Sequence, residues 1–327
     1  MPHLHSEVSP RAALVRSAAL VRSAALACVV AVVCVVPAQA ESPKGGETDS
    51  GYSAPLRASG GPDLFGYRWF DQDEPECNYA FFDISGSGTP LTFTASGTFP
   101  ADDDGGAAVA LPAPVDFYGT LVNQMVVSTN GYISMGATLG TEDGGDFSED
   151  CPLPASPDNA VAFGSRLLPY HNDLAGDGTG GTVFYEYFTS CPRPGEAGVE
   201  DCSIVQWDDW GFFNGTVGYD MQVVIYHGSG LFVYQYDDPG AQLDGSSTAI
   251  GLQNASAAIA LEIGCDTLGA VGNGTALCIY NPNCSEPDCL AVPVVVPTDI
   301  PTAGSMGLLA MAVLLSLAGG LLIARRS

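Results

Sequence analysis

The sequence predicts an all-β exported protein: a two-layer antiparallel β-sandwich set between an N-terminal signal peptide and a C-terminal transmembrane helix. Three observations carry this. From residue 64 onward, short runs rich in aromatic and β-branched residues recur between clusters of Gly, Asp, Asn and Pro, the texture of strands joined by turns. Over the same stretch no window of about a dozen residues keeps a helical apolar period. Eight cysteines remain once the signal is set aside, an even number that suits disulfides in an oxidising compartment.

Taken in order, residues 1–40 read as a secretory signal. Arg11, Arg16 and Arg22 form the basic n-region, residues 23–36 the apolar h-region, and Ala38-Gln39-Ala40 a cleavage site whose small residues are Ala38 and Ala40. Residues 41–63 are rich in Gly, Ser and Pro without an apolar period, and are expected to be a flexible linker. The β-domain is expected over 64–263, with strands at 79–84, 91–95, 126–135, 160–163, 182–188, 203–210, Tyr219–Tyr226, 230–236, 248–253 and 257–263. The clearest hairpin turns through His227-Gly228-Ser229-Gly230. Period-2 alternation puts Met221, Val223 and Ile225 on one face and Gln222, Val224 and Tyr226 on the other. Both faces are largely apolar, so this hairpin belongs in the middle of the domain. Asn130-Gly131 supplies the positive φ of a tight turn, so 126–135 also reads as two short strands. A domain of about 200 residues buries roughly 70% of its unfolded surface, enough for a core of its own.

Behind the domain, residues 264–289 are expected to form a disulfide-stapled segment and residues 290–299 an extended Pro/Val spacer. Residues 306–324 are an uncharged apolar run that, at about 1.5 Å per residue, just spans a hydrocarbon core. Arg325 and Arg326 would stay on the cytoplasmic side and leave everything before residue 300 outside. Cys77, Cys151, Cys191, Cys202, Cys265, Cys278, Cys284 and Cys289 allow on the order of a hundred pairings. Sequential pairing is expected: Cys77–Cys151, Cys191–Cys202, Cys265–Cys278 and Cys284–Cys289. A zinc site is not supported, because Cys284 and Cys289 lack a matching thiol pair at zinc-knuckle spacing.

Charge narrows the function classes. Between the signal and the apolar run stand five basic residues against 36 acidic ones, a net charge of −31. Nucleic acid is excluded as a partner, since each phosphate contact wants Lys or Arg; divalent cations remain compatible. Two histidines lie beyond the signal, His171 and His227, with no Gly-x-Ser-x-Gly or other nucleophile motif beside them. His171 reads as packed under a loop and His227 as a turn residue. Asp102-Asp103-Asp104 and Asp208-Asp209 read as solvated faces in so acidic a chain. The cation candidate is the Gly-rich loop 173–181, where Asp173 and Asp177 could wrap calcium, although the spacing is not that of an EF-hand. No other cofactor is expected.

Two resemblances add to this. The succession Phe117-Tyr118-Gly119, Ser128-Thr129-Asn130-Gly131-Tyr132-Ile133-Ser134, Pro169-Tyr170-His171-Asn172-Asp173 and Gly180-Gly181-Thr182-Val183-Phe184-Tyr185 resembles the nidogen-type extracellular domain over about residues 110–255. Where that family carries Ala-Pro-Phe-Trp-x-Asp, this chain has Leu168-Pro169-Tyr170-His171-Asn172-Asp173. The resemblance implies an adhesion or matrix module, a β-sandwich, and no catalytic residues to carry over. The tail resembles the bacterial IPTL-CTERM sorting signal: Ile300, Pro301 and Thr302 match, Ala303 replaces Leu, and the apolar run and Arg325-Arg326 come after. It implies an exosortase-like processing partner and delivery to the surface of a Gram-negative cell.

The expected function is therefore an exported, surface-sorted, non-catalytic module for a surface, matrix or glycan ligand. The alternative is a secreted hydrolase or an accessory glycan-binding module, in which Trp207, Trp210 and Tyr170 would stack on sugars. Exposure of two or more of these rings in one groove favours the glycan reading, and burial removes it.

Overall fold

The computed structural model describes residues 59–283 except 150, 158–162 and 197. In chain order its strands are β1 (Ser59–Gly60), β2 (Arg68–Asp71), β3 (Thr89–Pro90), β4 (Thr94–Ala95), β5 (Gly105–Phe117), β6 (Thr120–Ser128), β7 (Ile133–Met135), β8 (Arg166–His171), β9 (Leu174–Ala175), β10 (Thr182–Pro192), β11 (Val199–Phe212), β12 (Tyr219–Tyr226), β13 (Phe232–Asp237), β14 (Ala249–Gln253), β15 (Ala260–Cys265) and β16 (Thr275–Tyr280). They form two antiparallel sheets. One is ordered β1-β2-β16-β13-β12-β11-β10-β3, with β9 added on β11; the other is ordered β15-β14-β8-β7-β6-β5-β4. The all-β sandwich is thus the observed architecture.

The main core lies between the sheets. Val205, Trp207, Met221, Val223, Ile225, Tyr234 and Leu277 of the first sheet meet Val109, Met125, Val127, Ile133, Leu167 and Leu252 of the second. Alternation along β12 is as the sequence indicates: Val224 and Tyr226 point to the opposite face, into a second apolar cluster with Ile204, Val233 and Cys278. Side chains at successive strand positions face opposite ways, so a strand apolar on both faces needs cover on both.

That cover is supplied by two long straps, one per sheet. Residues 72–88 cross the outer face of the first sheet, burying Cys77 and Ile84 there. The stretch 79–84, expected as a strand, is not one. It crosses the strands and gives hydrogen bonds to glutamine side chains in place of a partner strand: Ala80 N–H donates to Gln235 Oε1 (2.8 Å) and Ile84 N–H to Gln206 Oε1 (2.7 Å). Residues 137–157, apart from 150, lie on the outer face of the second sheet, where Ser128 Oγ donates to the Gly144 carbonyl (2.6 Å) and Ala155 N–H to Gln253 Oε1 (3.0 Å).

The disulfides track the straps and correct the sequential pairing. Cys77 bonds Cys278 on β16 and Cys151 bonds Cys265 on β15, so each strap is tied to the sheet it covers. Cys191–Cys202 is paired as expected, across neighbouring strands. Cys284 and Cys289 lie outside the described residues, as do the signal, the spacer and the apolar run 306–324; among the described residues no helix is long and apolar enough to cross a membrane.

Other boundaries shift for the same non-local reasons. Residues 59–60, placed in the linker by composition, pair as β1 with β2. Residues 275–280, placed in a separate stapled segment, are β16, which lies between β2 and β13 within the first sheet. The run 126–135 is the hairpin β6–β7, turning at Thr129–Tyr132. The expected 91–95 strand is reduced to β4 beside the separate β3. Strands β5 and β8 had no strong sequence signal. The expected strand 160–163 falls almost wholly outside the described residues.

Candidate functional site

The turn between β6 and β7 organises one end of the sandwich. Ser128, Thr129, Asn130 and Gly131 are all buried. Gly131 has φ +71° and its Cα faces the Tyr170 carbonyl so closely that a Cβ would collide with it, which is why glycine stands there. Both nearby indoles serve this turn: Trp207 Nε1–H donates to the Ser128 carbonyl (3.1 Å) and Trp210 Nε1–H to the Thr129 carbonyl (2.9 Å). Asn130 then reaches both ways, donating from Nδ2 to Asp104 Oδ1 (2.8 Å) and accepting the Leu174 N–H at Oδ1 (2.9 Å).

By gripping these two segments, Asn130 sets a carboxylate cluster. Asp103, Asp104 and Asp173 each bring an oxygen within 4.8 Å of the others. Gly176 N–H donates to the Asp102 carbonyl (2.9 Å), which holds the 173–181 loop against the 101–104 loop. Burial first, then the neighbouring charges of Asp104, Asp173 and Asp177, push the Asp103 carboxyl up to about 6. Burial also raises Asp104, against the lowering effect of the Asn130 bond, and burial with the charge of Asp104 raises Asp173. Three close carboxylates that disfavour one another's ionised form are matched by a hard cation with oxygen preference.

The sequence pointed to Asp173 with Asp177. The structure instead groups Asp173 with Asp103 and Asp104, with Asp177 felt only as a neighbouring charge. By composition Asp103 and Asp104 read as a solvated face; in the fold they are 7% and 3% exposed. The signal that could have found them is Asn130 itself, a buried amide whose donor needs an acceptor.

The remaining candidates resolve into the core. Trp207, Trp210 and Tyr170 are 0%, 2% and 1% exposed, so they form no sugar-stacking platform. His171 is fully buried: its Nε2 meets the Asp146 carbonyl at 3.0 Å, and burial with the nearby Arg166 charge lowers it to about 4. His227 Nδ1 lies 2.7 Å from the Ala113 carbonyl and its Nε2 2.9 Å from Ser203 Oγ. The short contact to a carbonyl requires the proton on Nδ1, so Nε2 accepts from Ser203. Ser203 is 0% exposed, leaving this serine–histidine pair no access to a substrate. On the outer face of the second sheet, the buried Arg166 pairs with Asp146 (2.7 Å) and Glu142 (3.5 Å) and lies over the Tyr132 ring at 4.1 Å.

Searches of curated proteins and of solved structures found no match. A family model described as NIDO related matches residues 78–271, more than half of the chain and strands β3 to β15 of the sandwich. On that match over more than half of its length, this chain belongs to the NIDO-related family.

Proposed function

We propose that the protein is an exported, surface-sorted module that engages an extracellular surface or matrix ligand through its acidic end, without catalysis, and that a divalent cation such as calcium sits among Asp103, Asp104 and Asp173. The observation that carries this reading is placement. The three carboxylates stand at the start of β5, whereas the described chain leaves beside Asp116 near its other end, where Asn283 Nδ2 donates to Asp116 Oδ2. At about 3.3 Å per residue the two ends lie on the order of 35 Å apart. A domain tethered through the chain beyond residue 283 therefore holds its acidic end away from the tether.

Family membership and the three disulfides support an extracellular setting. The tail resemblance at Ile300, Pro301, Thr302, Arg325 and Arg326 supports processing by an exosortase-like enzyme, with the apolar helix at 306–324 as the membrane contact. The buried histidines favour a binding role over the hydrolase alternative. Titration of the protein with calcium, monitored by calorimetry and by thermal melting with and without chelator, tests the cation site. Binding heat that vanishes in Asp103→Asn and Asp173→Asn supports it; no heat and no thermal shift would remove it. Mass spectrometry of mature protein from the native cell tests the tail. A terminal peptide still ending in Arg325-Arg326-Ser327 contradicts sorting by cleavage and leaves a plain anchor.

A further inference from the structure

A groove of about 430 Å³ opens along the first half of β6. There Thr120, Leu121 and Val122 pair with β5 on one side. On the other side β7 pairs with β6 only over residues 125–127, and the last bond is from Gly136 N–H to the Gln124 carbonyl. Among the described residues, then, 120–123 has no strand partner on its second side, and the groove occupies the place of one. Its walls include Phe117, Tyr118, Leu121, Val122, Met135 and Phe163, and no Asp, Glu, Lys or Arg lines it. In a chain with 37 acidic residues this is an unusually neutral surface. Leu121, on the rim, is 72% exposed.

The described chain ends next to this groove. Asn281 Nδ2 donates to the Asp116 carbonyl (3.0 Å), and Asn283 to the Asp116 carboxylate, at the tip of the β5–β6 hairpin. Asn283 and Leu121 line one further small cavity, so Leu121 stands between the chain's exit and the groove. The uncharged, β-branched run Leu290-Ala291-Val292-Pro293-Val294-Val295-Val296-Pro297 begins after the intervening residues 284–289. Those residues reach about 20 Å when extended, enough to bring the run to the open edge.

We propose that residues 290–297 dock in this groove as a strand added to β6. An uncharged run meets an uncharged groove, main-chain hydrogen bonds complete the open side of 120–123, and alternate valines enter the pocket. Pro293 and Pro297 bracket Val294-Val295-Val296, so the two residues without N–H groups fall at the ends of the docked stretch and leave its three valines free to pair. Docking there turns the spacer into part of the domain and fixes which end of the sandwich faces the tether.

The test is amide hydrogen exchange on the full chain in detergent, compared with a variant carrying Val294→Ser, Val295→Ser and Val296→Ser. The expected result is that amides in 120–124 exchange at least tenfold faster in the variant while those of β12 are unchanged. Equal rates in the two chains would overturn the proposal, as would protection that rises with protein concentration, the mark of a second copy in the groove. A second measurement pairs Leu121→Cys with Val294→Cys, Val295→Cys or Val296→Cys and maps disulfides under non-reducing conditions. Crosslinking at 295 alone, or at 294 and 296 but not 295, is the alternation of a docked strand; no crosslink, or equal crosslinking at all three, refutes it.

Discussion

Replacing Arg166 with Met should remove a large part of the domain's stability. The guanidinium is fully buried, and so are its partners: Glu142 is 0% and Asp146 2% exposed. Breaking a buried pair leaves an uncompensated charge and costs about 3–5 kcal/mol, against a total of about 5–15 kcal/mol for a typical domain. The two carboxylates are not equally dependent on the arginine. Glu142 accepts from Tyr132 Oη, Ser134 Oγ, Gly144 N–H and Phe163 N–H, and so keeps four donors when Arg166 is gone. Asp146 has its 2.7 Å contact with Arg166 and a bond from Ser148 Oγ. The penalty should therefore fall mainly on Asp146, and the double variant Arg166→Met/Asp146→Asn should recover about half of the loss. Urea unfolding of the wild type, both single variants and the double variant gives the coupling directly. A loss below about 1 kcal/mol in Arg166→Met would refute the reasoning, and a double variant no better than the single would assign the cost to lost packing on Tyr132.

The geometry sets three further outcomes. Gly131→Ala forces a side chain into a positive-φ position against the Tyr170 carbonyl and should cost about 2 kcal/mol or more, a drop in Tm of at least about 5 °C by calorimetry; an unchanged Tm contradicts the close approach. The Cys77–Cys278 bridge spans 201 residues and Cys191–Cys202 spans 11, so by loop-closure entropy their loss should cost about 5 and about 3 kcal/mol respectively; denaturant midpoints of the two Ala/Ala variants measure the difference, and the reverse order would contradict it. Stability should fall as pH drops from about 6.5 to about 4, because the unfolded chain takes up a proton at His171 that the fold, with this group lowered to about 4, refuses; the full effect is about 3 kcal/mol. Asp103 acts in the opposite sense over roughly pH 4 to 6, since the fold binds its proton more tightly than the unfolded chain. His171→Phe should flatten the acid limb of a pH series of urea midpoints, and an unaltered limb would show that another group causes it.

Much of the fold was legible. The period-2 alternation of Met221, Val223 and Ile225 against Gln222, Val224 and Tyr226 is a property of neighbouring residues, and it survives intact in β12. The Asn130-Gly131 turn was legible for the same reason, since only local backbone geometry is needed to recognise it. The carboxylate cluster was half legible: Asp173 stands out in its Gly-rich loop, while Asp103 and Asp104 read as solvated charge, and only the fold brings Asp104 against the buried Asn130 amide. Trp207 and Trp210 look alike as surface platforms or as core, and only the buried Ser128 and Thr129 carbonyls that their indoles reach decide the matter.

By itself the sequence determined the β class, the central hairpin, the faces of its strands and an even set of cysteines for an oxidising compartment, because alternation, turn chemistry and composition are written over a few adjacent residues. Tertiary structure alone decided that Cys77 pairs with Cys278 and Cys151 with Cys265, that 79–84 is a strap and 275–280 an inner strand, and that three aspartates from two loops converge. Those outcomes depend on residues tens to hundreds of positions apart meeting over a shared sheet face, and no local pattern encodes which face they will share.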